Sequence, residues 1–221
     1  MPLEIQTIIA EFTHHANAEL APGMEKYMKN HFPFLGIQTP LRRQILKNIM
    51  LEYGLPDAAQ FPEFAQSLYN LPFREYHYAA IDLAGKIPQK WDKNYIDLFT
   101  SLATQKSWWD SVDSIAPLTG KYFLLYPDMR DITLKSWMNS GNIWLQRLCI
   151  LFQLHYKQKT DAALLFSTIA QLADSKEFFI RKAAGWALRE YARTDAAAVL
   201  SFTRQYALSP LTKREALKHF K

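Results

Sequence analysis

Trp109, Trp144 and Phe179 stand 35 residues apart, and Tyr122, Tyr156 and Tyr191 follow one another at 34 and 35. A large aromatic side chain recurring at that interval marks a unit the length of two short helices and their connections. Other local signals agree. The 221 residues contain only seven glycines and neither an Asn-Gly nor an Asp-Gly pair, so the strongest β-hairpin signals are missing. Apolar residues recur instead at three- and four-residue spacing. Helix starts are predicted at Thr39-Pro40, Asp57, Ser107, Asn142, Ser175 and Ser209-Pro210, residues suited to capping or opening a first turn. Counting caps and breaks gives about eleven or twelve short helices.

A helix pair of this size cannot bury its apolar face alone and is stabilised by stacking on its neighbours. The expectation is an all-α chain: an α-solenoid of HEAT or armadillo type over residues 1–221, a single repeat domain with one helical layer lining a concave groove. "FREYHYAAIDLAGK" fits as an earlier copy, but Glu75 stands where the period asks for an aromatic. A hydrophobic content of 49% against 21% charged residues excludes a disordered chain. Cys149, the single cysteine, cannot form an internal disulfide and fits a reducing, cytoplasmic setting.

The amino end "MPLEIQTIIAEF" has no basic segment of the secretory kind, and Lys26 is the first Lys or Arg. No apolar run reaches the ~18 residues of a membrane-spanning helix. The formal net charge is +5, much of it in "KYMKN", "LRRQILK", "FFIRKAAGWALR" and "LTKREALKHFK". Basic clusters of this kind point to an anionic partner, nucleic acid being the commonest.

"SWWDSVD", residues 107–113, puts two tryptophans beside two carboxylates. Ser107 and Asp110 fit S-x-x-D, an acidic form of the capping box, which predicts Ser107 as an N-cap. Trp108 and Trp109 lie about 100° apart on a helix and face different ways. Trp109 and Asp113, at i and i+4, share a face. An unpaired Asp113 there would be expensive to bury, so Arg147 or another cation of the next helix is its expected structural partner. Yet "NIWLQR" and "GWALRE" repeat a Trp–Arg pair at i and i+3, Trp144 with Arg147 and Trp186 with Arg189. Three successive helices with aromatic and charged groups at the repeat period suggest one lined surface.

At these residues the chain resembles a known family. "YMKNHFPFLGIQTPLRRQ", "KSWWDSVDSI", "NIWLQR", "LFQLHYKQK", "SKEFFIRKAAGWALREYA" and "LSPLTKREALKH" are similar to the AlkD-type DNA alkylation repair glycosylases, built from HEAT-like repeats. The resemblance runs from about Tyr27 to the carboxyl end. It implies a catalytic cluster of Trp109, Asp113 and Arg147, with Trp186 lining the same cleft. It further implies that Tyr27, Phe178, Phe179, Arg181, Lys182 and Arg189 approach DNA. The implied substrate is duplex DNA carrying N3- or N7-alkylated purines. The expectation from the chain itself is a monomer without metal, other cofactor, membrane or obligate protein partner, in a cytoplasmic, nucleoid-associated setting.

The chemistry fits one carboxylate. Breaking a purine N-glycosidic bond builds positive charge on the deoxyribose, as in glycoside hydrolysis. An alkylpurinium leaves as a neutral base and needs no proton donor. Asp113 would stabilise the sugar cation and orient water, while Arg147 would clamp a phosphate or orient Asp113. No phosphate-cradling glycine loop, dinucleotide fingerprint or H-E-x-x-H zinc motif is present. A non-catalytic HEAT-repeat scaffold for DNA or protein remains the alternative. The Trp109–Asp113 pair argues against it, because a carboxylate in the middle of a phosphate-binding surface would repel its ligand.

Overall fold

The computed structural model describes residues 3–87 and 91–220. Among them are thirteen α-helices, one short 3-10 turn and no strand. The all-helical expectation holds, with more helices than the eleven or twelve predicted. Asn142 accepts from the N–H groups of Trp144 and Leu145, and Ser209 from that of Thr212, so both are the caps predicted. Asp161 and Asp195 cap two further helices. Asp57 heads a turn by accepting from Ala59, four residues before the next helix begins at Phe61. Ser175 accepts from Glu177, which is itself the N-cap position, so that helix starts later than predicted. No helix among the described residues is long and apolar enough to cross a membrane.

The chain divides into two compact units, Met1–Leu98 and Phe99–Lys221, and the division falls within α6 (Tyr95–Thr104). The first unit contains α1 (Ile5–His14), α2 (Ala21–Tyr27), α3 (Thr39–Tyr53), α4 (Phe61–Asn70) and α5 (Arg74–Ala84). Helix α1 packs on α3 and α4, and α5 packs on both of these. Ile8, Phe12, Ile45, Leu46, Leu68, Ala79 and Leu83 fill the space between them. Glu75, the residue that breaks the aromatic period, is fully buried. Its carboxylate accepts from the N–H groups of Leu35, Gly36 and Ile37 at 3.0, 3.0 and 3.1 Å. Burial pushes its pKa up against the pull of those donors. An aromatic ring could not hold these three amides, which is a physical reason for the lost repeat.

In the second unit, α7 (Trp109–Leu125), α9 (Ile143–Leu151), α11 (Phe178–Tyr191) and α13 (Pro210–Ala216) pack side by side in chain order. Helix α8 (Pro127–Asn139) lies on α7 and α9, α10 (Ala162–Gln171) on α9, and α12 (Ala196–Gln205) on α11. Every second helix thus joins one row, the arrangement of a helical repeat stack, and the 35-residue period is the step along it. Close approach within the row depends on glycine. A Cβ at Gly120 of α7 would lie 2.2 Å from the Phe152 carbonyl oxygen, just past α9. The Tyr156 hydroxyl donates to the Gly120 carbonyl, fastening the same contact. Gly120→Ala is expected to destabilise the fold by about 1–3 kcal/mol, because the obstacle is backbone and cannot rotate away. Thermal unfolding checks this, and an unchanged midpoint would show that the row has slack.

Candidate active site

The row brings the N-terminal ends of α7, α9 and α11 together. Helix α7 begins with Trp109 after an N-cap, Trp108, whose backbone is extended and which has no side-chain cap. The predicted capping box is therefore absent: the Ser107 hydroxyl donates instead to the Ala103 carbonyl at 2.8 Å, closing the preceding helix. Because Trp108 lies before the helix, its ring is not tied to the helical stripes. It packs on Trp144 (5.8 Å between centroids) and edge-on to Phe179 (4.9 Å), while Trp144 and Phe179 are 5.1 Å apart. The sequence period placed Trp109 with Trp144 and Phe179; in the structure Trp108 makes those ring contacts. Trp109 is half-buried at the first position of α7, one turn before Asp113 on the same face.

Asp113 and Arg147 meet across α7 and α9. Arg147 Nε donates to Asp113 Oδ1 at 2.7 Å and Nη2 to Oδ2 at 2.8 Å, a bidentate pair. Arg147 Nη1 donates to the Phe179 carbonyl at the start of α11. The guanidinium therefore joins all three helices. Only 5% of its side chain is exposed, against 18% of that of Asp113. Arg147 thus holds the Asp113 carboxylate in one orientation. The Asp113 side chain is not fully enclosed. Burial raises its pKa above the ordinary aspartate value, Arg147 opposes that rise, and buried Asp110 one turn earlier adds to it. Pro117 lies four residues after Asp113 within α7 and supplies no N–H to the Asp113 carbonyl, so the helix lacks that bond beside the pair.

The remaining implied residues are spread along α11 and beyond. Phe178 is exposed at its first position, and Trp186 is half-buried two turns on. Arg181 Nε donates to the Ser175 carbonyl at 2.8 Å, which ties this guanidinium to the loop before the helix. Lys182 and Arg189 both pair with Glu215 of α13. Tyr27 belongs to the first unit, where it is exposed at the end of α2.

A family profile described as DNA alkylation repair enzyme matches residues 8–220, essentially the whole chain. The chain belongs to that family. A solved structure described as a predicted DNA alkylation repair enzyme from Enterococcus faecalis is 33% identical. It superposes with a TM-score of 0.86, over 93% of this chain and 96% of the other. Among curated proteins, none matches. The resemblance read from "SWWDSVD", "NIWLQR" and the neighbouring segments is thus upheld, and so is the helical fold it implied. In this DNA alkylation repair enzyme the structure pairs Asp113 with Arg147, as their spacing allowed, and sets beside the candidate residues three groups that the sequence analysis did not single out: the Trp108 ring, the Phe179 carbonyl and Glu215. The adjacent tryptophans were a signal for the first. The other two involve a backbone group and a distant helix, which residue spacing does not encode.

Proposed function

We propose that the chain is a monofunctional DNA glycosylase that hydrolyses the N-glycosidic bond of cationic N3- and N7-alkylpurines in duplex DNA. The observation that carries this reading is the Asp113–Arg147 pair: a carboxylate held at both oxygens on a side chain that is not fully enclosed, beside Trp109 at the head of three helices. A held carboxylate loses no reorganisation energy when charge develops next to it. In the reaction the C1′–N bond breaks with its electron pair going to the purinium, which departs neutral. The deoxyribose is left with oxocarbenium character. Asp113 stabilises that charge, water oxygen bonds to C1′, and the water proton passes to Asp113 or to solvent. Trp109 and Trp186 offer ring faces to the cationic nucleotide, worth about 1–2 kcal/mol each when desolvated. Phe178, Phe179, Arg181, Lys182, Arg189 and Tyr27 would serve the surrounding DNA. The reading has the protein acting as a cytoplasmic monomer without a cofactor.

A mechanism with one carboxylate and no dedicated acid makes a substrate rule. Release of 7-methylguanine from a duplex oligonucleotide, followed under single-turnover conditions, is expected to run far above the spontaneous rate. Uracil and hypoxanthine in the same sequence are expected to stay bound to their sugars, because a neutral base leaves poorly without protonation. Duplex binding with no release above background would leave a DNA-binding helical scaffold and sink the enzyme reading.

A further inference from the structure

Lys182, Trp186 and Arg189 stand at i, i+4 and i+7, one stripe of α11. Helix α13 crosses that stripe at Gly185, where a Cβ would come within 2.4 Å of Glu215 Cβ and 2.9 Å of the Thr212 carbonyl oxygen. The absent side chain lets α13 settle close, and Glu215 comes to rest between the two cations. Its Oε1 lies 2.9 Å from Lys182 Nζ, and its Oε2 lies 2.9 Å from Arg189 Nη1. Arg189 Nη1 also donates to the Glu215 carbonyl at 3.1 Å, so it stays anchored whatever the carboxylate does. Lys182 is the more exposed of the two, at 38% against 21% for Arg189.

Two cations, one anchored and one on a flexible stem, thus hold the two oxygens of a single anion at a partly open surface. A phosphodiester presents its two non-bridging oxygens in a similar way. We infer that Lys182 and Arg189 form the seat for one backbone phosphate of duplex DNA, and that the Glu215 carboxylate is an internal stand-in which the phosphate displaces. The inference rests on the proposed function only in taking the α11 face to meet DNA. Swapping one exposed ion pair for another is nearly neutral in itself. The phosphate gains the advantage because its arrival releases counterions condensed on the duplex, and it loses that advantage as salt rises. Glu215 would therefore weaken binding to undamaged DNA while keeping the stripe folded in the free protein.

The test is equilibrium binding of an undamaged duplex oligonucleotide across a salt series, with thermal unfolding alongside. The proteins are wild type, Glu215→Gln, Lys182→Met and the double variant. Glu215→Gln is expected to bind about fivefold more tightly at low salt, since no ion pair has to be broken first. Adding Lys182→Met should abolish the gain and flatten the log–log salt slope by about 0.9, one phosphate contact. A folded Glu215→Gln protein whose affinity is unchanged or weaker would reduce Glu215 to a helix clamp and overturn the inference. Should that variant fail to fold, Lys182→Met alone decides: an unaltered affinity and slope overturns it, a weaker affinity and shallower slope supports it. Failure of wild type and Glu215→Gln alike to bind duplex overturns this inference together with the proposed function. Failure to release alkylpurines leaves it standing.

Discussion

Asp113→Asn is expected to lower the single-turnover release of 7-methylguanine by about a thousandfold while leaving duplex binding intact. The size follows from charge. A carboxylate ~4 Å from the developing sugar cation contributes about 4 kcal/mol at an effective dielectric near 20. If that interaction exists only in the transition state, its loss is about three powers of ten in rate. Asparagine keeps the shape and one acceptor for Arg147 but not its counter-charge, so some stability is lost, while the helices stay joined through the Phe179 carbonyl and the ring cluster. Binding provides the control. Removing a negative charge from a face that meets phosphates should leave affinity equal or improve it, so a slow, tight-binding variant is the signature of a transition-state residue. A variant that releases base at the wild-type rate would refute the role of Asp113 directly. One that loses binding and stability together would make the carboxylate structural.

The sequence revealed most where the physics is local. Asn142 and Ser209 were legible as caps because each bonds to amides two or three residues ahead. The 35-residue period was legible because repeated packing of one helix row demands a large side chain at each step. Ser107 misled for a related reason: its spacing to Asp110 is right for a capping box, but its hydroxyl is already committed to the helix behind it. Trp108 and Trp109 could be separated by angle but not assigned, since the extended backbone at Trp108 depends on where α7 begins. Asp113 and Arg147 are 34 residues apart, one repeat step, and their pairing was one of two readings that spacing allowed. Glu215 lay beyond what residue spacing reveals. Its position between Lys182 and Arg189 depends on α13 lying across Gly185, a crossing that helical periodicity does not encode. The interior glycine of "AGWALRE" was the available clue, because a glycine inside a helix often marks close approach of another backbone.

Arg147→Met should be the most destabilising single change at the site, by about 3–5 kcal/mol, because it leaves Asp113 partly buried without its counter-charge. The loss should depend on pH with a definite sign. Burial already holds the folded-state pKa of Asp113 above its ordinary value while Arg147 pulls it down. Removing Arg147 raises it further. For an acid whose folded pKa exceeds its unfolded one, the favourable contribution is complete below the unfolded value and declines as pH rises through the folded value. The variant is therefore expected to fall furthest below wild type at neutral pH and to approach it in mild acid, which thermal unfolding at the two pH values measures. Activity should move the same way. After subtraction of spontaneous depurination, the acid limb of base release should shift to higher pH in Arg147→Met, since less of Asp113 is ionised at any given pH. The double variant Asp113→Asn/Arg147→Met separates the two roles. With both charges gone no uncompensated ion remains, so much of the lost stability should return while base release does not. If the double variant is as unstable as Arg147→Met alone, Arg147 acts mainly through the Phe179 carbonyl and the joining of α7, α9 and α11, and the pH dependence should then be absent as well.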